Sequence, residues 1–230
     1  MSEFDSHIPY QRVILNMNDI LFASINLPIL DKEQATSAIM SVDSRYWWWD
    51  EYRSTSMLPL MTKGGRIGQE GANNRSRDEP FDWVSYAPSV LTDWMDDVIF
   101  PWMGMRTRVS ALMTKAHAAN KEHIDCDPHN MGTNQNKFRI VLKGKTETLY
   151  FITENGNIPV PSVDGCFIMD GSWPHGMDNA TDDFKLTLAL GAPWNGKESY
   201  NNANVLMTRS QHKMPENFNK YFDPRILRRK

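Results

Sequence analysis

Cysteine is scarce in this chain of 230 residues, which contains only Cys126 and Cys166. Small secreted domains depend on several disulfides, and a chain of this length with two cysteines does not fit that class. No charged segment followed by an apolar one opens the sequence, so a secretory leader is not expected. We therefore expect a reduced, cytoplasmic protein.

Long hydrophobic runs and a strong excess of one charge are also missing. No apolar segment approaches the ~20 residues that span a bilayer, so no membrane partner is expected. The net charge of −3 provides no general attraction to polyanions and argues against a nucleic-acid partner. The hydrophobic share of 40% and the charged share of 23% are ordinary for a globular protein that can bury a sizeable core.

The residue patterns in the first hundred positions are typical of helices and loops. The segment "LDKEQATSAIMSV" predicts a helix capped by Asp31, with Gln34 three positions later as in a capping box. A second helix is predicted in "APSVLTDWMDDVIFPWM" from its apolar spacing. Tryptophans 47–49 cannot all share one face, so they pack between layers or form the wall of a pocket.

Between these helices, residues 62–80 are rich in glycine, asparagine and arginine and predict one long loop. A loop of this kind could cover an active site. Its basic side chains could attract an anionic substrate or could simply be solvated; they are Lys63, Arg66, Arg75 and Arg77.

From about residue 105 the chain changes to short β-rich runs such as "KFRIVLKG", "ETLYFIT", "GCFIMDG" and "DFKLTLALG". The turn "ENGN" predicts a hairpin. We predict a mainly β fold with an α-helical N-terminal layer, namely a double-stranded β-helix of the jelly-roll, cupin-like kind. One domain is expected, with a helical or lid region at 1–100, the β-helix core at 101–195 and a C-terminal extension at 196–230.

The segment "NKEHIDCDPHNMG" concentrates candidate metal ligands. His123 and Asp125 are two positions apart, which places both side chains on one face of an extended segment. His175 follows the predicted strand "CFIMD" and could close over this pair in a two-layer β fold. Two histidines and one carboxylate on one side of a metal form the facial triad of non-haem Fe(II) oxygenases.

The same region contains residues that could form an alternative metal site. His117, His123 and His129 are spaced by six residues, so one long strand could align them as a structural zinc site. Asp127 also competes as a ligand. Pro128 does not favour one long strand, which weighs against this alternative.

The text "HGMDNATDDFKLTLALGAPW" after the predicted strand resembles the C-terminal signature of 2-oxoglutarate/Fe(II)-dependent oxygenases. The resemblance implies Fe(II), 2-oxoglutarate as co-substrate and O₂, with His123, Asp125 and His175 as metal ligands. It also implies that Lys185, ten positions after His175, binds the far carboxylate of 2-oxoglutarate with help from Thr187. Phe184, Leu186 and Leu188 alternate with these two residues, which should leave Lys185 facing the barrel interior.

Residues 137–194 resemble more narrowly the aspartyl/asparaginyl β-hydroxylase branch, through Arg139 in "KFRIVL", Asn179 and the final "PW". The resemblance implies that Arg139 lies near a carboxylate of the co-substrate or the substrate. The chain departs from that branch in having Asp125 where glycine is frequent. It also has Lys185 where arginine is usual, a lysine found in prolyl-hydroxylase-like relatives. Neither branch therefore determines the substrate.

The resemblance implies a dioxygenase that hydroxylates a C–H bond of an amino acid, peptide or protein side chain and releases succinate and CO₂. The expected partner is a small molecule or a peptide. A carboxylate at Asp125 argues against a halogenase, which needs that position for halide. The alternatives are an oxygenase of nucleobases or nucleotides and a cupin-like module that binds a metal or ligand without redox chemistry. All three share one fold class, so the fold cannot separate them.

Overall fold

The structure is a computed structural model that describes residues 20–28, 30–51, 53–74, 76, 78–125, 136–191 and 203–222. Several residues weighed above lie outside these ranges, namely Arg75, Arg77, Cys126, Asp127, Pro128, His129 and the "PW" at 193–194. Within the ranges, no helix has the length and the apolar character that crossing a bilayer requires.

Thirteen strands are found in the described part of the chain. In chain order they are β1 (Ile20–Ile25), β2 (Trp48–Asp50), β3 (Thr55–Lys63), β4 (Phe81–Trp83), β5 (Val109–Thr114), β6 (Ala118–His123), β7 (Asn136–Lys143), β8 (Leu149–Thr153), β9 (Gly156–Pro159), β10 (Cys166–Asp170), β11 (His175–Asn179), β12 (Lys185–Leu190) and β13 (Ala203–Thr208).

The helices lie mainly before β5. They are α1 (Lys32–Met40), α2 (Gly68–Asn73), α3 (Ser89–Trp94) and α4 (Phe100–Met103), with the π-helical turn Met95–Ile99 joining the last two. Asp31 caps α1 as predicted, because its side chain accepts a hydrogen bond of 3.0 Å from the backbone N–H of Gln34. The second predicted helix is realised as α3, the π-turn and α4; it ends at Met103 and is capped by Gly104 with φ +69°.

The strands form two antiparallel sheets. The described residues of the larger sheet give nine strands in the order β13-β1-β10-β7-β12-β5-β3-β2, with β4 paired to β3. The smaller sheet has the order β6-β11-β8-β9. Neighbours in the sheets are mostly distant in sequence, as expected when two sheets are wound together. The predicted mainly β, double-stranded β-helix fold is confirmed.

The two faces of the larger sheet pack against different layers. Its outer face packs against the helices, where Ile39, Leu91 and Met95 are fully buried beside Leu186 and Leu188 of β12. Its inner face packs against the smaller sheet through a second apolar cluster that includes Phe22, Val141, Phe151, Phe167 and Trp173. The predicted helical N-terminal layer is therefore present.

The sequence patterns did not predict β1 to β4, which lie in the same first hundred residues. Strand β1, with the sequence ILFASI, is buried along its whole length and pairs with β10 and β13. A short run that is apolar on both faces cannot be assigned to strand or helix from periodicity alone. The sheet thus extends beyond the range 101–195, through β1 to β4 on one side of that range and β13 on the other.

The prediction of one long loop at residues 62–80 is wrong in part, because this segment includes the end of β3 and the whole of α2. Gly71 permits a close approach there, since a Cβ atom at this position would lie 1.8 Å from the carbonyl oxygen of Arg66. By contrast, the hairpin predicted from "ENGN" is present between β8 and β9, with Gly156 at φ +112°.

Candidate metal centre

The two sheets bring His123, Asp125 and His175 together. His123 ends β6 and lies directly opposite His175, the first residue of β11. The Nε2 atom of His123 is 3.5 Å from Oδ1 of Asp125, and Nε2 of His175 is 3.8 Å from Oδ2. One potential ligand atom from each residue lies within 4.8 Å of the others, and all three side chains are at most 9% exposed.

The backbone around Asp125 fixes its position. Its N–H donates a hydrogen bond of 2.8 Å to the carbonyl oxygen of Gly171, in the turn between β10 and β11. A Cβ atom on Gly171 would lie 3.2 Å from Cβ of Asp125 and 3.1 Å from Cε of Lys137. Because that spacing is tighter than most real contacts, a glycine suits this turn best.

Both histidines have the orientation of metal ligands. Nδ1 of His123 lies 2.8 Å from the carbonyl oxygen of Lys121, and Nδ1 of His175 lies 2.8 Å from that of Trp173. Each Nδ1 can therefore donate its proton to a carbonyl, which leaves the lone pair of Nε2 for a metal. Burial, together with the neighbouring His123, lowers the pKa of His175 to about 3, so this ring is neutral at physiological pH.

The carboxylate of Asp125 is ionised. Burial alone would raise its pKa, but Lys137, His123 and Arg53 together hold that pKa well below its usual range. Nζ of Lys137 lies 3.8 Å from Oδ2, and Nη2 of Arg53 donates a hydrogen bond of 3.1 Å to Oδ1. Two imidazole Nε2 atoms and one carboxylate on one side of a cavity fit a facial Fe(II) site that has further positions open.

The rival zinc site is not formed at His117. This residue lies in the turn before β6, its side chain is 63% exposed, and its Nε2 is 2.9 Å from Oδ1 of Asp182. His117 and His123 stand at opposite ends of β6, which at ~3.3 Å per residue separates them by roughly 20 Å. His129, the third residue of that rival, lies outside the described residues.

The triad opens onto a cavity of about 700 Å³ between the two sheets. Among the described residues, its charged lining consists of six cations, Arg53, Lys63, Arg108, Lys137, Arg139 and Lys185, and two acids, Asp50 and Asp125. Trp48 also lines it, whereas Trp47 packs on the core and Trp49 is 48% exposed. The run of three tryptophans thus serves both packing and the pocket wall.

Lys185 and Thr187 lie on the inner face of β12 and line the cavity, opposite the core residues Leu186 and Leu188. Lys185 is 3% exposed. Its Nζ donates hydrogen bonds to the hydroxyl of Thr148 and, at 2.6 Å, to the carbonyl oxygen of Lys145. Burial lowers the pKa of Lys185 to about 8, although Glu147 acts in the opposite direction.

Arg139 lines the same cavity from β7. It pairs across the sheet with Ala189 of β12, which pairs in turn with Ser110 of β5. Burial lowers the pKa of Arg139 to about 10, so it remains a cation at neutral pH. Ser110 is 4% exposed, and its hydroxyl has no hydrogen-bond partner among the described residues.

Asn179, which the sequence resemblance included, has a structural role away from the cavity. Its Nδ2 donates to the carbonyl oxygens of Lys115 and Asp183, at 2.9 and 2.8 Å, and so ties together the turns at the far ends of β5 and β11. Sequence reasoning missed Asp50, Arg53 and Arg108 as cavity residues. No spacing pattern marks them, because only the pairing of distant strands brings them to the triad.

No family model matches this chain. Similar solved structures include an oxidoreductase of the 2OG-Fe(II) oxygenase family from Burkholderia pseudomallei (10% identity, covering 70% of this chain and 76% of that one, TM-score 0.43). Another is a prolyl hydroxylase from Trichoplax adhaerens in complex with a hypoxia inducible factor peptide fragment (12%, 76% and 84%, 0.46). A third is HygX from Streptomyces hygroscopicus, with nickel, 2-oxoglutarate and hygromycin B bound (9%, 76% and 83%, 0.45).

Two of these structures bear the names of protein families that the sequence resembles, a 2OG-Fe(II) oxygenase and a prolyl hydroxylase. A shared fold does not transfer a substrate or a reaction. What this chain can do chemically follows from its own ligand triad and from the cavity beside it.

Proposed function

We propose that this protein is an Fe(II)- and 2-oxoglutarate-dependent dioxygenase that hydroxylates a C–H bond of an amino acid, a peptide or a protein side chain. The observation that carries the proposal is the buried triad of His123, Asp125 and His175 on one wall of a large cationic cavity. Fe(II), 2-oxoglutarate and O₂ would supply the oxidising chemistry, with succinate and CO₂ as co-products.

The chain's own contribution at the metal is a ligand set that is ready to bind. His123 and His175 would bind through Nε2, since each Nδ1 faces a backbone carbonyl at 2.8 Å. Asp125 would bind as a carboxylate, because neighbouring cations favour its ionised form. The lowered pKa values of Asp125 and His175 favour the forms of these two groups that bind a divalent metal at neutral pH.

Lys185 is the proposed anchor for the far carboxylate of 2-oxoglutarate, with Thr187 on the same strand face as a second donor. A dicarboxylate enclosed in a cavity needs a cation at the end that does not touch the metal. Both hydrogen-bond acceptors of Lys185, a backbone carbonyl and the hydroxyl of Thr148, are neutral. The ammonium charge is therefore suited to a carboxylate that approaches from the cavity.

Arg139 is the second candidate for a carboxylate. Its partner on β12 is Ala189, four positions from Lys185, and at ~3.3 Å per residue the two cations mark points roughly 13 Å apart along the sheet. If Lys185 binds the co-substrate, Arg139 remains for an anionic group of the substrate. With six cations against two acids along the cavity, we propose a substrate that carries a carboxylate or a phosphate.

Succinate release over a matched substrate panel tests this function. The protein, Fe(II), 2-oxoglutarate and O₂ would be combined with free amino acids, short peptides and nucleotides, each acidic compound paired with its neutral amide or dephosphorylated form. We expect substrate-dependent succinate release that favours the acidic member of a pair, and none from His175→Ala.

An anaerobic titration separates the alternatives. A weak visible charge-transfer band on adding Fe(II) and 2-oxoglutarate is expected for an oxygenase of either substrate class. Preference for nucleotides over amino acids and peptides in the panel would support the nucleotide oxygenase instead. Metal binding without the band and without succinate would support the cupin-like binding module.

A further inference from the structure

Arg53 links the metal-ligand carboxylate to a distant part of the chain. It lies in the turn between β2 and β3, 72 positions before Asp125. Its Nη1 donates to Oδ2 of Asp50 at 3.0 Å, and its Nη2 donates to Oδ1 of Asp125 at 3.1 Å. The backbone N–H of Arg53 also donates to Oδ1 of Asp50, at 3.3 Å. One planar guanidinium therefore holds two carboxylates in a fixed relation.

Burial makes this arrangement costly to disturb. The side chain of Asp50 is 1% exposed and that of Asp125 is 9% exposed, while the guanidinium-bearing side chain is 26% exposed. Burial acts to lower the pKa of Arg53, yet Asp125 and Asp50 raise it above its ordinary value. A buried carboxylate that loses a partner keeps its desolvation penalty, so removing Arg53 would leave both acids less well compensated.

The hydrogen bond also restricts how Asp125 can bind a metal. Oδ1 accepts a hydrogen bond from Arg53, whereas Oδ2 lies 3.8 Å from both Nζ of Lys137 and Nε2 of His175, beyond hydrogen-bond distance. Engaging Oδ1 in this way disfavours chelation through both carboxylate oxygens. A carboxylate that binds through one oxygen leaves more positions of the metal open for co-substrate and O₂.

We propose that Arg53, oriented by Asp50, is a positioning residue of the metal centre that holds Asp125 as a ligand through one oxygen. The inference rests on the metal centre of the proposed function and adds a part that lies outside the ligand triad. Trp48, Asp50 and Arg53 all line the cavity. The same hairpin that shapes the pocket wall therefore also sets the geometry of a metal ligand.

Cobalt(II) binding to the full chain tests this, because Co(II) reports both affinity and ligand geometry through its visible bands. Arg53→Gln should weaken Co(II) binding about 10–100-fold, the usual effect of removing a partner of a metal ligand, and should shift the bands. Arg53→Lys should recover part of the affinity, because one ammonium cannot serve both carboxylates as a fork does. Asp50→Asn should shift the bands with a smaller loss of affinity.

Two control variants separate positioning from charge. Lys137→Gln removes a cation beside Asp125 without removing a hydrogen bond, so repulsion of the metal falls and Co(II) binding should become tighter. If Arg53 acted only as a charge, Arg53→Gln would also bind more tightly, and the proposal would be overturned. Arg66 likewise pairs with two carboxylates, those of Glu70 and Glu79, but its side chain is 47% exposed. Arg66→Gln should therefore leave Co(II) binding unchanged.

Folding and the metal site itself are checked in parallel. Thermal unfolding of the metal-free variants identifies those that fold, and if Arg53→Gln does not, Arg53→Lys and Asp50→Asn decide the question. Wild-type affinity and unchanged bands in the folded variants would overturn the role of Arg53 while leaving the metal centre intact. Failure of the wild-type chain to bind Co(II) would instead overturn the metal centre, and this inference with it.

Discussion

His123 and His175 face each other across the antiparallel pair of β6 and β11, with ring centroids 4.5 Å apart. The ligand atom of each ring is determined, because each Nδ1 lies 2.8 Å from the backbone carbonyl oxygen of the residue two positions before that histidine. The pair is therefore prepared for a metal by backbone hydrogen bonds, and Asp125 completes it from the segment that follows β6.

Replacing His175 should remove the metal centre. In His175→Ala, one of three ligands is lost, and we expect Fe(II) or Co(II) affinity to fall by at least about 100-fold and metal-dependent turnover to disappear. Isothermal titration with Co(II) measures the first effect. His117→Ala is the matched control, since that histidine is exposed and paired with Asp182. An equal loss in both variants would contradict the assignment of the triad.

Lys185→Met should weaken 2-oxoglutarate binding by about two to three orders of magnitude. Removing one partner of a buried ion pair costs about 3–5 kcal/mol, and each ~1.4 kcal/mol corresponds to tenfold in affinity. Metal affinity should be nearly unchanged, because Lys185 is not a ligand. Arg139→Met is measured beside it in the same anaerobic titration. If only the arginine variant loses 2-oxoglutarate affinity, the anchor is Arg139, and the role that the sequence resemblance implies for Lys185 is wrong.

The affinity for 2-oxoglutarate should fall at alkaline pH. The pKa of Lys185 is lowered to about 8, so its ammonium is present below that pH and is lost as the pH rises through it. A bound carboxylate favours the ammonium form of Lys185. The affinity for 2-oxoglutarate should therefore fall by close to tenfold per pH unit, and only above about pH 8. Lys185→Arg, which does not titrate in this range, should retain its affinity from pH 7 to 10. An equal decline in both proteins would assign the effect to another group.

Gly171→Ala should disturb the metal site more than the fold. The new Cβ would lie 3.2 Å from Cβ of Asp125 and 3.1 Å from Cε of Lys137, so both side chains have to shift by a few tenths of an ångström. We expect Co(II) affinity to fall several-fold with a small change in the melting temperature. Gly156→Ala is the contrasting variant, because it has φ +112° and no atom within 4 Å of the added Cβ. That change should lower stability and leave metal affinity unaltered.

Local patterns in the sequence were sufficient to predict several features of this protein. The cap at Asp31, the hairpin at Gly156 and the alternation along β12 each depend on residues within a few positions of one another. The spacing of His123 and Asp125 is local as well, and the strand before His175 was visible as an apolar run. A two-residue period fixes which side chains share a face, so the inner face of β12 could be predicted without a structure.

Tertiary structure alone decided which distant residues meet. Strand β1 joins the larger sheet between β10 and β13, and Arg53 reaches Asp125 across 72 positions. Such pairings depend on strand order and register, which no local period encodes, because many registers satisfy the same alternation of apolar residues. The sequence by itself therefore determined the residue types of the candidate metal ligands and the spacing of His123 and Asp125. The winding of the two sheets brought His123, Asp125 and His175 together into one site. It also placed cations around this site and brought Arg53 and Asp50 next to it.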